Sequence, residues 1–117
     1  MRYILLIYDR EADWAGLPEK ERGQLFQEYM AFTDGIRKSG HHVAGDPLQP
    51  TSSATTVRVR NGKTVTTDGP FAETREQLGG YYIVKAKDLD EATEIASRIP
   101  SARMGSIEVR PIMEVGG

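Results

Sequence analysis

Residues 67–82, TDGPFAETREQLGGYY, gather carboxylates, a guanidinium and two phenols around a Gly-Pro turn. Asp68 stands ahead of Gly69 and Pro70. A carboxylate there can act as a base or hold a polar ligand at the mouth of a cavity. It can equally accept hydrogen bonds from the backbone N–H groups of the following turn, the plainer use of an aspartate before glycine and proline. Glu73 and Glu76 would share a face if residues 70–78 made helical turns, with Gln77 beside Glu73. Paired carboxylates do acid–base work when their surroundings separate their pKa values, and bind a hard metal only with further oxygen ligands. The plainer reading is a solvated pair with Arg75 as its counter-charge. Phe71 would anchor the loop in an apolar pocket or form one wall of a ligand site.

The two histidines, His41 and His42, adjoin a short strand beginning HHVAG. On a regular strand His42 and Asp46 fall on one face and His41 on the other, so the pair does not chelate one ion. Four residues at ~3.3 Å each also separate His42 from Asp46 too far for a direct dyad. His42 remains a candidate proton carrier beside a carboxylate from elsewhere, or a histidine satisfied at a strand start. The catalytic candidates are therefore Asp68, His42 and Glu73. The binding candidates are Asp68, Phe71, Glu73, Arg75, Glu76, Tyr8, Tyr29 and Tyr82. Gly79-Gly80 lacks the strand–GxGxxG–helix context of a dinucleotide site and reads as a sharp entry to a strand or a close backbone approach. There is no nucleophile elbow and no phosphate loop, and no cofactor or metal is expected.

The elements that must position these groups follow from pattern. At 117 residues, 38% hydrophobic and 27% charged, the chain reads as one soluble domain spanning residues 1–117. A net charge of -2 without a basic block argues against nucleic acid and gives no reason to expect a membrane surface. The absence of cysteine excludes a disulfide framework, a thiolate nucleophile and a Cys-based zinc site, and fits a cytoplasmic address. The apolar run Tyr3 to Tyr8 is too short for a signal-peptide core or a membrane span and reads as a strand buried on both faces. Asp9 to Gly16 reads as a short polar connection.

Pro18 suits the first position of a helix over 18–39, where Leu25, Tyr29, Phe32 and Ile36 form one stripe that Phe26 and Thr33 widen. ATTVRVRNGKTVTTD is a hairpin tipped by Asn61-Gly62. A two-residue loop sets Val65 opposite Arg58. A three-residue loop with Gly62 in a bulge sets it opposite Val57, giving one apolar and one polar face, and is preferred. GGYYIVKA is a second strand apolar on both sides, with Tyr81 and Tyr82 on opposite faces. Asp88 and Glu91 form a capping-box-like start for a helix whose stripe is Leu89, Ala92, Ile95, Ala96 and Ile99, ended by Pro100. In the closing GSIEVRPIMEV, Pro111 suggests an edge strand or a bulge.

Strand–helix–strand, a hairpin insertion, then strand–helix–strand is the split β-α-β order of a ferredoxin-like α+β sandwich. Two helices cover one side of a four-stranded sheet, yet two strands read as apolar on both sides. A second copy, sheet against sheet about a two-fold axis, would cover the other side. The alternative is that the hairpin and the Pro-rich loop after HHVAG fold back over it.

DGPFAETREQLGGYYIV, with TTVRVRNGKTVTTDGPF before it and DLDEATEIASRIP and EVRPIMEV after it, resembles the YCII-related family of small bacterial proteins. It is most similar to the branch named for the DGPF motif. The resemblance runs from YILLIY to EVRPI and implies a homodimer, a dimeric α/β barrel of ferredoxin-like subunits. The branch has no settled activity. Because no complete set of nucleophile, base and oxyanion donor can be assembled from the residues, the first reading is a binding or regulatory module for a small-molecule ligand. The family's gene association adds an extracytoplasmic-function sigma factor as protein partner. In other branches relatives act on small cyclic substrates such as chlorinated lactones, with a helix histidine as acid or base. Here the helix over 18–39 has no histidine and carries Tyr29 mid-stripe, and Arg75 replaces the usual lysine. The alternative function is acid–base catalysis on such a lactone-like metabolite.

Overall fold

The computed structural model describes residues 1–115. Six strands and three helices follow in the order β1 (Arg2–Asp9), α1 (Glu11–Ala15), α2 (Glu19–Lys38), β2 (His42–Pro47), β3 (Thr55–Arg60), β4 (Lys63–Asp68), β5 (Gln77–Lys85), α3 (Leu89–Ser97) and β6 (Ser106–Pro111). Short 3-10 turns lie at Thr51–Ser53 and Pro100–Arg103. The main sheet runs β2-β5-β1-β6 with every neighbouring pair antiparallel, the ferredoxin-like arrangement expected for an α+β fold. No helix among the described residues is long and apolar enough to cross a membrane.

Alternation along β1 decides which face is sealed. Tyr3, Leu5, Ile7 and Asp9 are buried, while Ile4, Leu6 and Tyr8 between them are half-buried. The sealed face packs with Tyr82 and Val84 of β5 against Phe32 and Ile36 of α2 and Ala92, Ile95 and Ala96 of α3. Burying a side chain such as Leu5 completely contributes about 1.5–3 kcal/mol. The expected two-sided burial of the central strands is therefore realised on one side only.

Pro18 stands just before α2, with φ -57°, and Leu25, Phe32 and Ile36 are its buried residues. Phe26 does not widen that stripe; it is 62% exposed. Residues 26, 30, 33 and 37 instead make a second stripe turned by the helical repeat away from the core. In α3, Leu89, the first residue of the helix, is likewise exposed rather than buried. Asp9 to Gly16 is not a plain connection either, since residues 11–15 form α1. Pro111 ends β6, an edge strand, where a missing N–H costs no ladder bond.

The hairpin β3–β4 has the two-residue loop. Val65 lies opposite Arg58 and Val57 opposite Thr66, not in the bulged register. Asn61 and Gly62 have φ 53° and 74°, the left-handed pair that a type I′ turn requires, so the turn chemistry sets the register. The hairpin does not fold back over the sheet. The Cα extents are 48 × 47 × 19 Å, and Val57, Val59 and Val65 of the hairpin stay exposed. The radius of gyration, 16.3 Å, exceeds the roughly 13 Å of a compact chain this long.

The start of α3 gives the sharpest local test. The Asp88 carboxylate accepts the Glu91 N–H at 2.9 Å, and Glu91 reaches back to accept the Lys87 N–H at 3.0 Å. Asp88→Ala is expected to destabilise the fold by about 1 kcal/mol, within the range for lost N-caps. Denaturant unfolding of the two proteins measures the difference, and Asp88→Asn should recover most of it.

Candidate functional site

Where β1 runs out of the apolar core, parity places a carboxylate on the sealed face. Asp9 is 6% exposed. Burying a carboxylate costs several kcal/mol unless hydrogen bonds meet it, and two elements supply them. The Trp14 indole of α1 donates Nε1–H to Asp9 Oδ2 at 2.7 Å, and the Ser101 hydroxyl donates to the same oxygen at 2.9 Å. Ser101 is completely buried, and its single proton is committed to Asp9. Tyr29 OH, 2.5 Å from Ser101 Oγ, must then be the donor in that pair. The donors form one directed chain, Tyr29 to Ser101 to Asp9, with Trp14 converging from the other side.

Asp9 Oδ1 receives no side-chain hydrogen bond from any described residue, yet no sealed polar side-chain atom is left without a partner. This second oxygen therefore opens on the space that Asp9 lines. That space is a cavity of about 1070 Å³ between α2, α1 and the end of β2 with its following loop. Phe26, Met30 and Trp14 give it an apolar wall, and Arg22 and Arg37 stand at its rim. The second stripe of α2, too exposed for a core, is the wall of this cavity.

Tyr82, on the cavity floor, donates its hydroxyl to Thr33 Oγ1 at 2.6 Å, since Thr33 itself donates to the Tyr29 carbonyl at 2.9 Å. Gly45 of β2 is the opening through which the Tyr82 ring reaches this position. A Cβ there would stand 2.5 Å from the ring. Gly80 admits a neighbouring backbone, Asp46 O, as the close-approach reading of Gly79-Gly80 requires. The rim is tied by a clamp: the Glu11 carboxylate accepts the Thr51 N–H at 2.7 Å and the Thr51 hydroxyl at 2.6 Å. The Glu11 N–H in turn donates to Gln77 at 3.0 Å. Burial raises the Tyr82 phenol, and pushes the Tyr29 phenol up to about 12.

Of the catalytic and binding candidates, Tyr29 and Tyr82 line this cavity, as do Asp46, Gly79, Gly80 and Tyr81, which the sequence also brought forward. Tyr8 is on the open face of the sheet. Asp68, Phe71, Glu73 and Arg75 are exposed in the segment after β4, and Glu76 is half-buried, accepting a hydrogen bond from Ser106 at 2.9 Å. None of these five lines the cavity. Residues 70–76 form no helical turn, so the shared face for Glu73 and Glu76 is absent, and Phe71 is 75% exposed instead of anchored. No ion pair joins Arg75 to either glutamate among the described residues.

A bulge between His42 and Ala44 also overturns the parity argument for β2. His42 is opposite Val84 on the sealed side, 6.3 Å from the Tyr82 ring, whereas Asp46 is opposite Tyr81 on the open side and accepts its hydroxyl at 2.9 Å. That bond raises the Tyr81 phenol. His41 sits apart, held by Ser39 at 2.6 Å and beside Glu91 at 3.3 Å.

Asp9, Trp14 and Ser101 were not singled out from the sequence. Asp9 carried a legible signal: it continues the odd-numbered set Tyr3, Leu5, Ile7 onto the buried face. Trp14 is the single tryptophan, in the five-residue EADWA. Ser101 had no signal.

The Tyr29 hydroxyl gives this network a titration. An unfolded tyrosine ionises near 10, the folded one near 12, so between these values the unfolded state loses its proton first and stability falls as pH rises. Tyr29→Phe should show a shallower loss across that window, measured as denaturant midpoints from below pH 10 upward.

The comparisons with known proteins follow the same boundaries. The YCII-related domain matches residues 1–116. An uncharacterized protein of Rhizobium meliloti (strain 1021) is 35% identical over 114 residues, covering 96% of this chain and 92% of its own. In three dimensions the chain resembles a 5-chloro-2-hydroxyhydroquinone dehydrochlorinase from Burkholderia phenoliruptrix AC1100, solved with 2,5-dihydroxybenzoquinone. The TM-score is 0.56 at 14% identity, over 97% of this chain and 94% of that one, a likeness of fold. By the domain match and the identity to its relative, the chain belongs to the YCII-related domain family.

Proposed function

We propose that the chain is a small-molecule-binding module that acts as a homodimer, with its ligand in the cavity between α2, α1 and the end of β2. The observation that carries this reading is the divided role of Asp9. One carboxylate oxygen is held by Trp14 and Ser101, and the other opens on the cavity. A rigid acceptor at the base of an apolar-walled space suits a ring-sized compound with a hydroxyl or ammonium donor. A volume of about 1070 Å³ leaves ample room for it.

The open sheet face supports the dimer. Ile4, Leu6, Tyr8, Tyr81 and Ile83 occupy its centre, and Asp46, Glu108 and Arg110 its edges. An apolar centre with a polar rim is the anatomy of a protein interface. Two such faces stacked about a two-fold axis would complete a dimeric α/β barrel.

A second reading is acid–base chemistry on a small cyclic metabolite. It is favoured by the Tyr29–Ser101–Asp9 chain, which holds the open oxygen of Asp9 as a positioned base and keeps Tyr29 protonated as a donor. The dehydrochlorinase sharing this fold is named for a hydroxylated ring substrate, an example of the size class.

A thermal-shift and calorimetric screen against hydroxylated aromatic acids and lactones tests both readings. A compound at a hundred times its Kd stabilises the folded state by about 2.7 kcal/mol. The shift should vanish in Asp9→Asn and in Met30→Arg, an exposed substitution that fills the cavity without touching the core, and persist in Asp68→Asn. Turnover of the hit distinguishes enzyme from sensor. A hit lost only in Asp68→Asn would move the site to the 67–76 segment. Absence of any hit would transfer the reading to a protein partner such as the sigma factor suggested by resemblance.

A further inference from the structure

The hairpin β3–β4 is built with two unlike faces, and the chain covers only one of them. Residues directly opposite one another share a face. Thr56, Arg58 and Arg60, opposite Thr67, Val65 and Lys63, make a basic face. Val57 and Val59, opposite Thr66 and Thr64, make a face of uncharged β-branched side chains toward the tip, with Thr55 opposite Asp68 closing it at the base. The segment after β4 attends to the basic face. Thr56 donates to the Gly69 carbonyl at 2.8 Å and Arg58 to the Phe71 carbonyl at 3.3 Å, and both residues are half-buried. Val57 and Val59 are 59% and 61% exposed.

Water on both sides gives a hairpin no reason to gather Arg58, Arg60 and Lys63 on one face and leave valines and threonines on the other toward the tip. A lone two-stranded hairpin is also marginal in water, needing a further packed surface. For the Val57–Val59 face the described residues offer none, since the strands of the arm pair only with each other and both valines are exposed.

We infer that the Val57–Val59 face of this arm is a clasp that docks on a second copy of the chain. The inference rests on the homodimer reading and deepens it. Area favours the same chain as occupant. With strands ~4.8 Å apart and six residues rising ~3.4 Å each, the main sheet offers a footprint of roughly 400 Å². Two stacked faces then bury about 800 Å², short of the ~1,200–2,000 Å² of stable interfaces. An arm about 20 Å long and 10 Å wide covers roughly 200 Å² of its partner. Two reciprocal arms bring the total to about 1,600 Å², inside that range. A two-fold axis supplies both arms at once from one sequence.

Sedimentation equilibrium on the full chain tests the clasp, with circular dichroism as the check on folding. The natural chain is expected to be a dimer, and Val57→Asp/Val59→Asp, on a surface outside the core, to weaken the dimer at least about 100-fold. That factor corresponds to two steps of tenfold at 1.4 kcal/mol each. Arg60→Glu, on the opposite face of the same arm, should leave the dissociation constant within about threefold. A gentler variant, Val59→Ser, should weaken the dimer in the same direction if the double variant unfolds. Dimers unaffected by the arm variants but broken by Ile83→Asp would overturn the clasp and leave the sheet-to-sheet dimer standing. A natural chain that stays monomeric at high concentration would overturn both.

Discussion

A buried carboxylate at the end of β1 is the constraint around which the helix side of this protein is arranged. Asp9 lies on the sealed face because strand parity puts it there, and a charge in that position has to be met by donors. Meeting it fixes Trp14, and with it the short α1, over one end of the sheet. It also fixes the turn Pro100–Arg103 through Ser101, and Ser101 holds Tyr29 on α2. The helix α1 and the turn are thereby registered directly on one oxygen, and α2 through Ser101. The other oxygen is left to the cavity, so the group that organises the fold locally also forms part of the cavity lining.

The fold's second constraint is the count of layers. One sheet and one set of helices seal one face, and the half-buried residues of β1 and β5 remain on the other. The same economy explains α2. A 20-residue helix is about 30 Å long, and only Leu25, Phe32 and Ile36 are buried beneath it. Its neighbouring stripe has to face something other than the core, and faces the cavity. Amphipathicity here is three-way: core, cavity wall and solvent.

Most of the architecture was legible in the sequence because it rests on period and punctuation. The helical stripe at 25, 29, 32 and 36, the Asp88 cap and the proline at the end of β6 each depend on neighbours a few residues away. What was not legible depends on contacts between distant residues or on a single irregular one. The bulge in β2 reverses the parity of His42 relative to Asp46. No residue of HHVAG announces it. The hairpin register failed for a different reason. The preference for a clean apolar face competed with the Asn-Gly turn, and the turn won, since positive φ at both central residues leaves the strands no extra residue to bulge. Two of the cavity tyrosines were legible as hydroxyls on apolar elements, but Ser101 could be found only from the fold.

The segment richest in reactive residue types illustrates the difference between composition and position. Gly69, with φ 104°, donates its N–H to the Ala54 carbonyl at 2.7 Å and so closes the base of the hairpin. Its own carbonyl and that of Phe71 then meet Thr56 and Arg58. Backbone groups account for these bonds, and the side chains of Asp68, Phe71 and Glu73 are left facing outward. A Gly-Pro turn is required there because the chain must leave β4 and run under the charged face of its own arm. The cavity, by contrast, draws on an aspartate, a tryptophan, a tyrosine and a serine spaced across ninety-two residues, from 9 to 101. The cavity is therefore assembled by the sandwich, while the motif-like stretch shapes the arm that extends beyond it.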